Sequence, residues 1–361
     1  MTMWMRSRAA VLTELEKIEF KEITIPDLEV GEVLIKLRAC ALCATDYKAY
    51  SKGHKILRPP VVLGHEIVGE VVDVAEDVEE FSKGDRLAIG GYAPCGGCYY
   101  CLRGQYTLCE NMFKPIGKSP DGLPILEGMI FPGGFSELIK LPERVVKFSS
   151  VKLSAGISDD EATLIEPLAC VLKSMRLAEI TRSQNVLIIG GGPMGLLHLL
   201  ACKASGCGKI FVSEIDEQRL GIAEDLGALG VNPRERGVAE YIKSHTGGRG
   251  ADVVFVDVPS INALSQAFSA VRKGGVICLF AGFPPREAGA SVDVNLIHYF
   301  DLRVVGSFGY DPVSFAESAG LLEAGRIDVK PLITHRIRLD EVDEGFRLMA
   351  EKAALKIIVR A

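Results

Sequence analysis

Apolar and polar positions along the chain fall into two textures. Up to about Pro167, apolar residues come in short runs broken by glycine and proline. Val33–Arg38 alternates apolar and charged residues, the period-two pattern of a half-buried strand, and Ile67–Val74 is a second strand candidate. Residues 94–111 have almost no periodicity and read as a loop. From Gln184 the texture changes. Apolar runs at 185–190, 209–214, 252–257, 275–281 and 303–307 predict strands. Helical spacing at 194–205, 217–226 and 261–272 predicts helices between them. Strands alternating with helices of ~10–15 residues imply right-handed βαβ units on a parallel sheet. A further helix over 313–324 and a short β-rich tail follow. The tail is too small for a domain and must pack on one already formed.

Composition narrows the class. The 361 residues, at ~150 per domain, suggest about two domains. Hydrophobic residues are 48% and charged residues 24%, a soluble globular balance that excludes disordered and fibrous chains. The net charge of −6 argues against a nucleic-acid partner, which needs a basic stripe. No apolar run approaches the ~20 residues of a membrane span, so no membrane partner is expected. The N-terminal stretch lacks an apolar core with a cleavage site and predicts no signal peptide. A cytoplasmic protein is therefore expected. Ten cysteines are too few for a disulfide scaffold, but four of them lie within 15 residues, which points to metal.

The apolar run ending at Ile189 leads into Gly190-Gly191-Gly192-Pro193-Met194-Gly195, a G-x-G-x-x-G spacing between a strand and a helix. Gly190 allows the tight turn, Gly192 lets the backbone approach a pyrophosphate, and Gly195 lets helix and strand pack closely. The positive end of the helix opened by Pro193 and Met194 then faces the phosphates. The next strand ends at Glu214, placed to take both hydroxyls of an adenosine ribose and to repel a 2′-phosphate. NAD is thus favoured over NADP, although Arg219 nearby could pair with a phosphate.

Cys95, Cys98, Cys101 and Cys109 follow the spacing C-x2-C-x2-C-x7-C. Four thiolates with no open position make a structural zinc site. An iron–sulfur cluster is the rival, though the second cysteine set of a ferredoxin is missing. Elsewhere Cys43, His65, Glu66 and Glu166 offer one thiolate, one imidazole and one or two carboxylates, a set suited to zinc. Three protein ligands and an open position would make such a site catalytic.

Residues 64–78, Gly64-His65-Glu66-Ile67-Val68-Gly69 onward, match G-H-E-x2-G-x5-[GA]-x2-[IVSAC] throughout. The sequence resembles the zinc-dependent medium-chain dehydrogenase/reductase family over nearly its whole length, including Gly133-Gly134-Phe135-Ser136-Glu137 and Pro331-Leu332-Ile333-Thr334-His335. The second zinc-ligand cysteine of alcohol dehydrogenases is replaced by Glu166, in Ile165-Glu166-Pro167-Leu168, which looks like the sorbitol (polyol) and threonine dehydrogenase branch. The resemblance implies an α/β protein. A GroES-like β-barrel catalytic domain (1–166 and 311–361) would carry the zinc lobe at about 94–111, and a Rossmann doubly wound parallel-sheet coenzyme domain would span 167–310. Glu66 and Glu166 would each be a zinc ligand or lie close to it.

The implied reaction is hydride transfer between an alcohol and NAD, with two zinc ions per chain. Thr45, two residues after Cys43, would take the proton. Relatives carry histidine three residues further on, where this chain has Lys48, and a lysine ends a relay only from its neutral form. Polyol dehydrogenases carry an Arg-Tyr pair where this chain has Gly309-Tyr310, and a tyrosine where it has Ala49. The expected substrate is therefore a secondary alcohol of a polyol, cyclitol or sugar acid rather than sorbitol. L-Threonine 3-dehydrogenase is the alternative enzyme, and a non-catalytic cofactor-binding relative the alternative of another class. A homodimer or homotetramer is expected.

Overall fold

The computed structural model describes residues 4–284, 288–289 and 291–361. Residues 1–3, part of the stretch read against a signal peptide, lie outside the described residues. The chain divides into two compact units. One comprises residues up to Glu166 with Asp311–Gly325 and Val329–Ala361, and the other Pro167–Tyr310 with Arg326–Asp328. Among the described residues no helix is long and apolar enough to cross a membrane.

The first unit is β-rich. Its larger sheet orders the strands Ser150–Lys152, Arg86–Gly90, Glu66–Val74, Val33–Ala41, Lys356–Arg360 and Ile333–Arg338, and Leu138–Leu141 also pairs with Val33–Ala41. The two predicted strands of the N-terminal half are thus direct antiparallel neighbours, with Ala41 opposite Glu66. Burial along Val33–Ala41 alternates at Lys36 and Arg38 and is otherwise complete, because both sheet faces are covered near the site. The hairpin Trp4–Glu14/Lys17–Pro26 escaped the sequence reading. Its second strand carries four charged residues among ten, and only Ile23 and Ile25 are buried, so its apolar alternation is too short to read.

The C-terminal tail enters this sheet. Ile358 pairs with Ala41 and Val359 with Cys40, and Ile333–Arg338 lies parallel to the last strand. Ion pairs add to the strand pairing. Buried Asp160 accepts from Arg336 Nε at 2.7 Å and Arg360 Nη2 at 2.6 Å. The tail therefore completes a sheet begun some 300 residues earlier in the chain, as its length demanded.

The second unit is a six-stranded parallel sheet in the order Leu229–Val231, Ile210–Ser213, Val186–Ile189, Ala251–Val256, Val271–Leu279, Arg303–Gly306. Counted along the chain this is the order 3-2-1-4-5-6 of a dinucleotide-binding fold. Val186–Ile189 is buried throughout, as a central parallel strand must be. The predicted helix after the glycine run spans Pro193–Ala204. Two boundaries move. Val271–Leu279 starts before the predicted Gly275, because Val271 pairs with Ala251 ahead of a bulge. Residues 94–111 contain two single 3₁₀ turns, Cys101–Arg103 and Tyr106–Leu108, rather than loop alone. Together the units are a GroES-like domain and a Rossmann-type parallel sheet.

Helix and strand approach closely at Gly195, where an added Cβ would lie 1.8 Å from the Gly190 carbonyl oxygen. Gly195→Ala should force that backbone apart at a cost of about 1–3 kcal/mol. Denaturant unfolding would register the loss, and an unchanged midpoint would refute the close-packing role.

Candidate functional site

Cys43 is the residue before the helix Ala44–Lys52, and His65 and Glu66 open the strand that pairs with Ala41. Strand pairing thus brings together segments twenty residues apart. Ligand atoms of Cys43, His65 and Glu66 all lie within 4.8 Å of one another.

Asp46, fully buried, holds the arrangement. Its carboxylate accepts from Cys43 N at 3.1 Å and from Gly64 N at 3.1 Å, and its Oδ1 lies 3.2 Å from His65 Nδ1. One carboxylate therefore fixes both ligand-bearing segments. With Nδ1 engaged by Asp46, His65 has Nε2 left for a metal, the usual way a partner selects the ligating nitrogen. Burial alone would lower the His65 pKa. Asp46 and Cys43 outweigh it and hold it well above the ordinary value, so an arriving ion displaces a proton. Asp46 is not among the residues the sequence analysis selects; its signal is its position three residues after Cys43.

Lys356 was also missed. Its Nζ lies 2.6 Å from Glu66 Oε1 and 2.5 Å from Oε2, with both side chains buried. No local pattern marks a lysine on a terminal strand 290 residues away from its partner. Glu166, in the first turn of Ile165–Leu177, is buried close enough for His65, Glu66 and Lys356 to act on its charge. It lies outside the tight group formed by the other three residues. Burial chiefly, aided by Glu66 and Asp46, pushes its pKa up to about 7 against the pull of His65 and Lys356. Asp46, Glu66 and Glu166 thus concentrate buried carboxylates around His65 and Lys356. Such a site fits a divalent cation, which would relieve the repulsion.

Thr45 and Lys48 are exposed on the helix after Cys43. Ala49 is fully buried. Tyr47 and Tyr50 pack against Phe346, the latter stacked at 4.4 Å, so both serve the core. His54 Nδ1 accepts from the amides of Ile56 at 3.3 Å and Leu57 at 3.2 Å.

The four lobe cysteines converge as the spacing required. Cys95 Sγ lies 3.9 Å and Cys98 Sγ 3.5 Å from Cys101 Sγ. A tetrahedral ion with bonds of about 2.3 Å holds its sulfurs about 3.8 Å apart. These distances fit one ion better than a cluster in which each thiolate has its own iron. The amides of Cys95 and Asn111 donate to Cys109 Sγ at 3.3 Å and 3.4 Å, and Asn111 Nδ2 donates to Cys95 Sγ at 3.5 Å, contacts that favour thiolates.

In the second unit Gly190 has φ +117°, a backbone setting that excludes ordinary side chains. Glu214, at the end of Ile210–Ser213, binds the loop it follows. Its Oε2 accepts from Gly191 N at 2.6 Å, while Oε1 accepts from Ile215 N at 2.7 Å and Asp216 N at 3.0 Å. Arg219 Nη1 lies 3.8 Å from where a Cβ on Gly192 would stand, so a cation does border the loop. Pro193 and Met194 form the first turn of the helix whose N-terminus the loop feeds.

Comparison with known proteins agrees with this architecture. Residues 29–150 match the alcohol dehydrogenase GroES-like domain and residues 193–324 the zinc-binding dehydrogenase domain. L-Threonine 3-dehydrogenase of Pyrococcus furiosus is 34% identical over 347 residues, 94% of either chain. Sorbitol dehydrogenase of Bacillus subtilis is 30% identical over 358 residues, 98% of this chain and 96% of its own. The crystal structure of 2R,3R-butanediol dehydrogenase from Bacillus subtilis superposes with a TM-score of 0.86 at 30% identity, over 98% of this chain and 99% of its own. The fold and the paired metal-ligand clusters define a zinc-dependent oxidoreductase. The chain belongs to the zinc-dependent medium-chain dehydrogenase family.

Two outcomes follow. Cys98→Ser should remove about one zinc per chain and lower thermal stability, measured by metal analysis and melting; normal values of both would dismiss the structural role. Lys356→Met leaves the Glu66 carboxylate buried without its cation and should cost about 3–5 kcal/mol. Adding Glu66→Gln should recover much of that loss in denaturant unfolding, and no recovery would mean that Lys356 acts through packing alone.

Proposed function

We propose that this enzyme oxidises a secondary alcohol of a polyol, cyclitol or sugar acid to a ketone, with NAD as acceptor. The convergence of Cys43, His65 and Glu66 carries the reading, because it presents a thiol, an imidazole and a carboxylate to one point. Cys43 and His65 hold the catalytic zinc with carboxylate help from Glu66 and Glu166. Lys356 keeps Glu66 ionised. Zinc so held would supply Lewis acidity toward an alcohol hydroxyl, and NAD held at the glycine loop would supply the hydride acceptor. Cys95, Cys98, Cys101 and Cys109 hold a second, structural zinc.

Thr45 takes the substrate proton, since it is exposed two residues after Cys43. Lys48, exposed a turn further on, ends the relay or yields that role to solvent. Gly190, Gly192, Pro193, Met194 and Gly195 cradle the pyrophosphate of NAD. Glu214 takes the adenosine ribose, and its negative charge disfavours a 2′-phosphate. The GroES-like unit thus serves as the catalytic domain and the parallel-sheet unit as the coenzyme domain. Exposed Leu102 and Leu108 on the cysteine lobe support a homo-oligomer, and the cytoplasm suits free thiols at these sites.

L-Threonine oxidation is the second reading, supported by the similarity to the Pyrococcus enzyme. NAD reduction against polyols, cyclitols, sugar acids and threonine decides between them. Activity with threonine alone would replace the first reading, and none with any alcohol would end both. Glu214→Ser should weaken NAD and admit NADP, with Arg219 as phosphate partner; a wild-type preference for NADP would reverse the assignment. Thr45→Val should slow turnover by ~10²–10⁴-fold, and less so as pH rises and hydroxide takes the proton. A wild-type rate where hydride transfer limits turnover would remove Thr45 from the relay.

A further inference from the structure

Within the coenzyme unit a histidine that the reaction does not use lies in an unusual setting. His198 is fully buried on the helix Pro193–Ala204. Its Nδ1 is 2.8 Å from Asp257 Oδ2 and 3.2 Å from the Met194 carbonyl oxygen. Its Nε2 is 2.7 Å from Ser174 Oγ. The ring stacks on Phe255 at 4.3 Å and meets the edge of Phe280 at 4.8 Å.

The order Ser–His–Asp is that of a nucleophilic triad. Ser174 is wholly buried, so no substrate reaches its hydroxyl. A different role follows from what the ring joins. Nδ1 faces two acceptors and donates toward them. Ser174 Oγ, 2.7 Å from the Val171 carbonyl oxygen and 2.7 Å from Nε2, holds the other side of the ring. Both ring nitrogens are therefore engaged, and the imidazole is fixed in place.

Asp257 is the ring's partner on the strand side. Its side chain is 2% exposed. Among the described residues neither of its carboxylate oxygens has a well-aligned hydrogen-bond donor, so the 2.8 Å approach of His198 Nδ1 offsets the cost of its burial.

The place of the pair gives it a function. Asp257 follows Ala251–Val256, its amide donates to Ile189 O at 3.0 Å, and its Cβ lies 3.6 Å from where a Cβ on Gly190 would stand. His198 reaches back one turn to Met194, in the G-x-G-x-x-G run. The contact therefore ties the strand beside the glycine loop to the helix leaving it. Glu214 grips the same loop from the opposite neighbouring strand through Gly191 N.

We propose that His198 is a positioning residue for the coenzyme, its contact with Asp257 holding the loop in the shape that receives the pyrophosphate. This rests on the reading of that loop as the NAD site. The test compares wild type with His198→Leu and with the double variant His198→Leu/Asp257→Leu. The single variant leaves Asp257 unpaired and should melt earlier. The double variant removes both polar groups and should recover the melting temperature, yet its Kd for NAD should stay raised about tenfold. Its kcat at saturating NAD should fall by a smaller factor. A stable double variant with wild-type NAD affinity would overturn the proposal. A wild type that binds no NAD would overturn the coenzyme reading as well, so the two failures are distinguishable.

Discussion

Concentrated negative charge in a buried place is the constraint on which the catalytic half of this protein depends. Asp46, Glu66 and Glu166 are all removed from water around Cys43 and His65, with Lys356 as the lysine among them. Carboxylates so placed repel one another, and burial adds to the cost. The rise of Glu166 to about 7 shows that repulsion and burial in action. A bound divalent cation removes the conflict, so the features that destabilise the empty arrangement are those that favour metal. Lys356 matters because it belongs to the last strand, which makes the end of the chain part of the site's electrostatics.

A single acidic side chain repeatedly joins two segments that the chain order keeps apart. Asp46 joins the Cys43 turn to the Gly64–His65 turn. Asp160 receives Arg336 and Arg360 from the tail. Glu214 joins the end of its strand to the glycine loop, and Asp257 faces the helix on that loop's other side through His198. In each case the carboxylate is buried, and its acceptor lone pairs demand donors from wherever the fold can supply them. Positions of the chemically important groups are thereby coupled to backbone contacts rather than left to side-chain freedom. Substitution of one such acid would disturb two segments at once.

Around the helix Ala44–Lys52 the side chains divide between core and solvent. Ala49 is buried, and Tyr47 and Tyr50 pack against Phe346. These aromatic residues therefore stabilise the helix against the core. Thr45 and Lys48 are exposed on the same helix.

Local spacing was enough to reveal the cysteine lobe, the glycine loop, the strand that ends at Glu214 and the alternating strand–helix order. Each depends on residues near one another in the chain, where periodicity and turn chemistry act directly. The resemblance carried by Gly64-His65-Glu66 supplied the pairing of Cys43 with His65. Asp46 was not singled out, because one aspartate in a helix's first turn usually serves the helix terminus. Lys356, His198 and Asp257 were invisible. A lysine in an apolar terminal strand and a histidine in an apolar helix have no meaning until the partner is known. Only the tertiary structure decided that Glu66 meets Lys356 and that His198 stands between Ser174 and Asp257. Long-range strand pairing and burial create those contacts, and the charge on each group acquires its consequence only once water has been excluded around it.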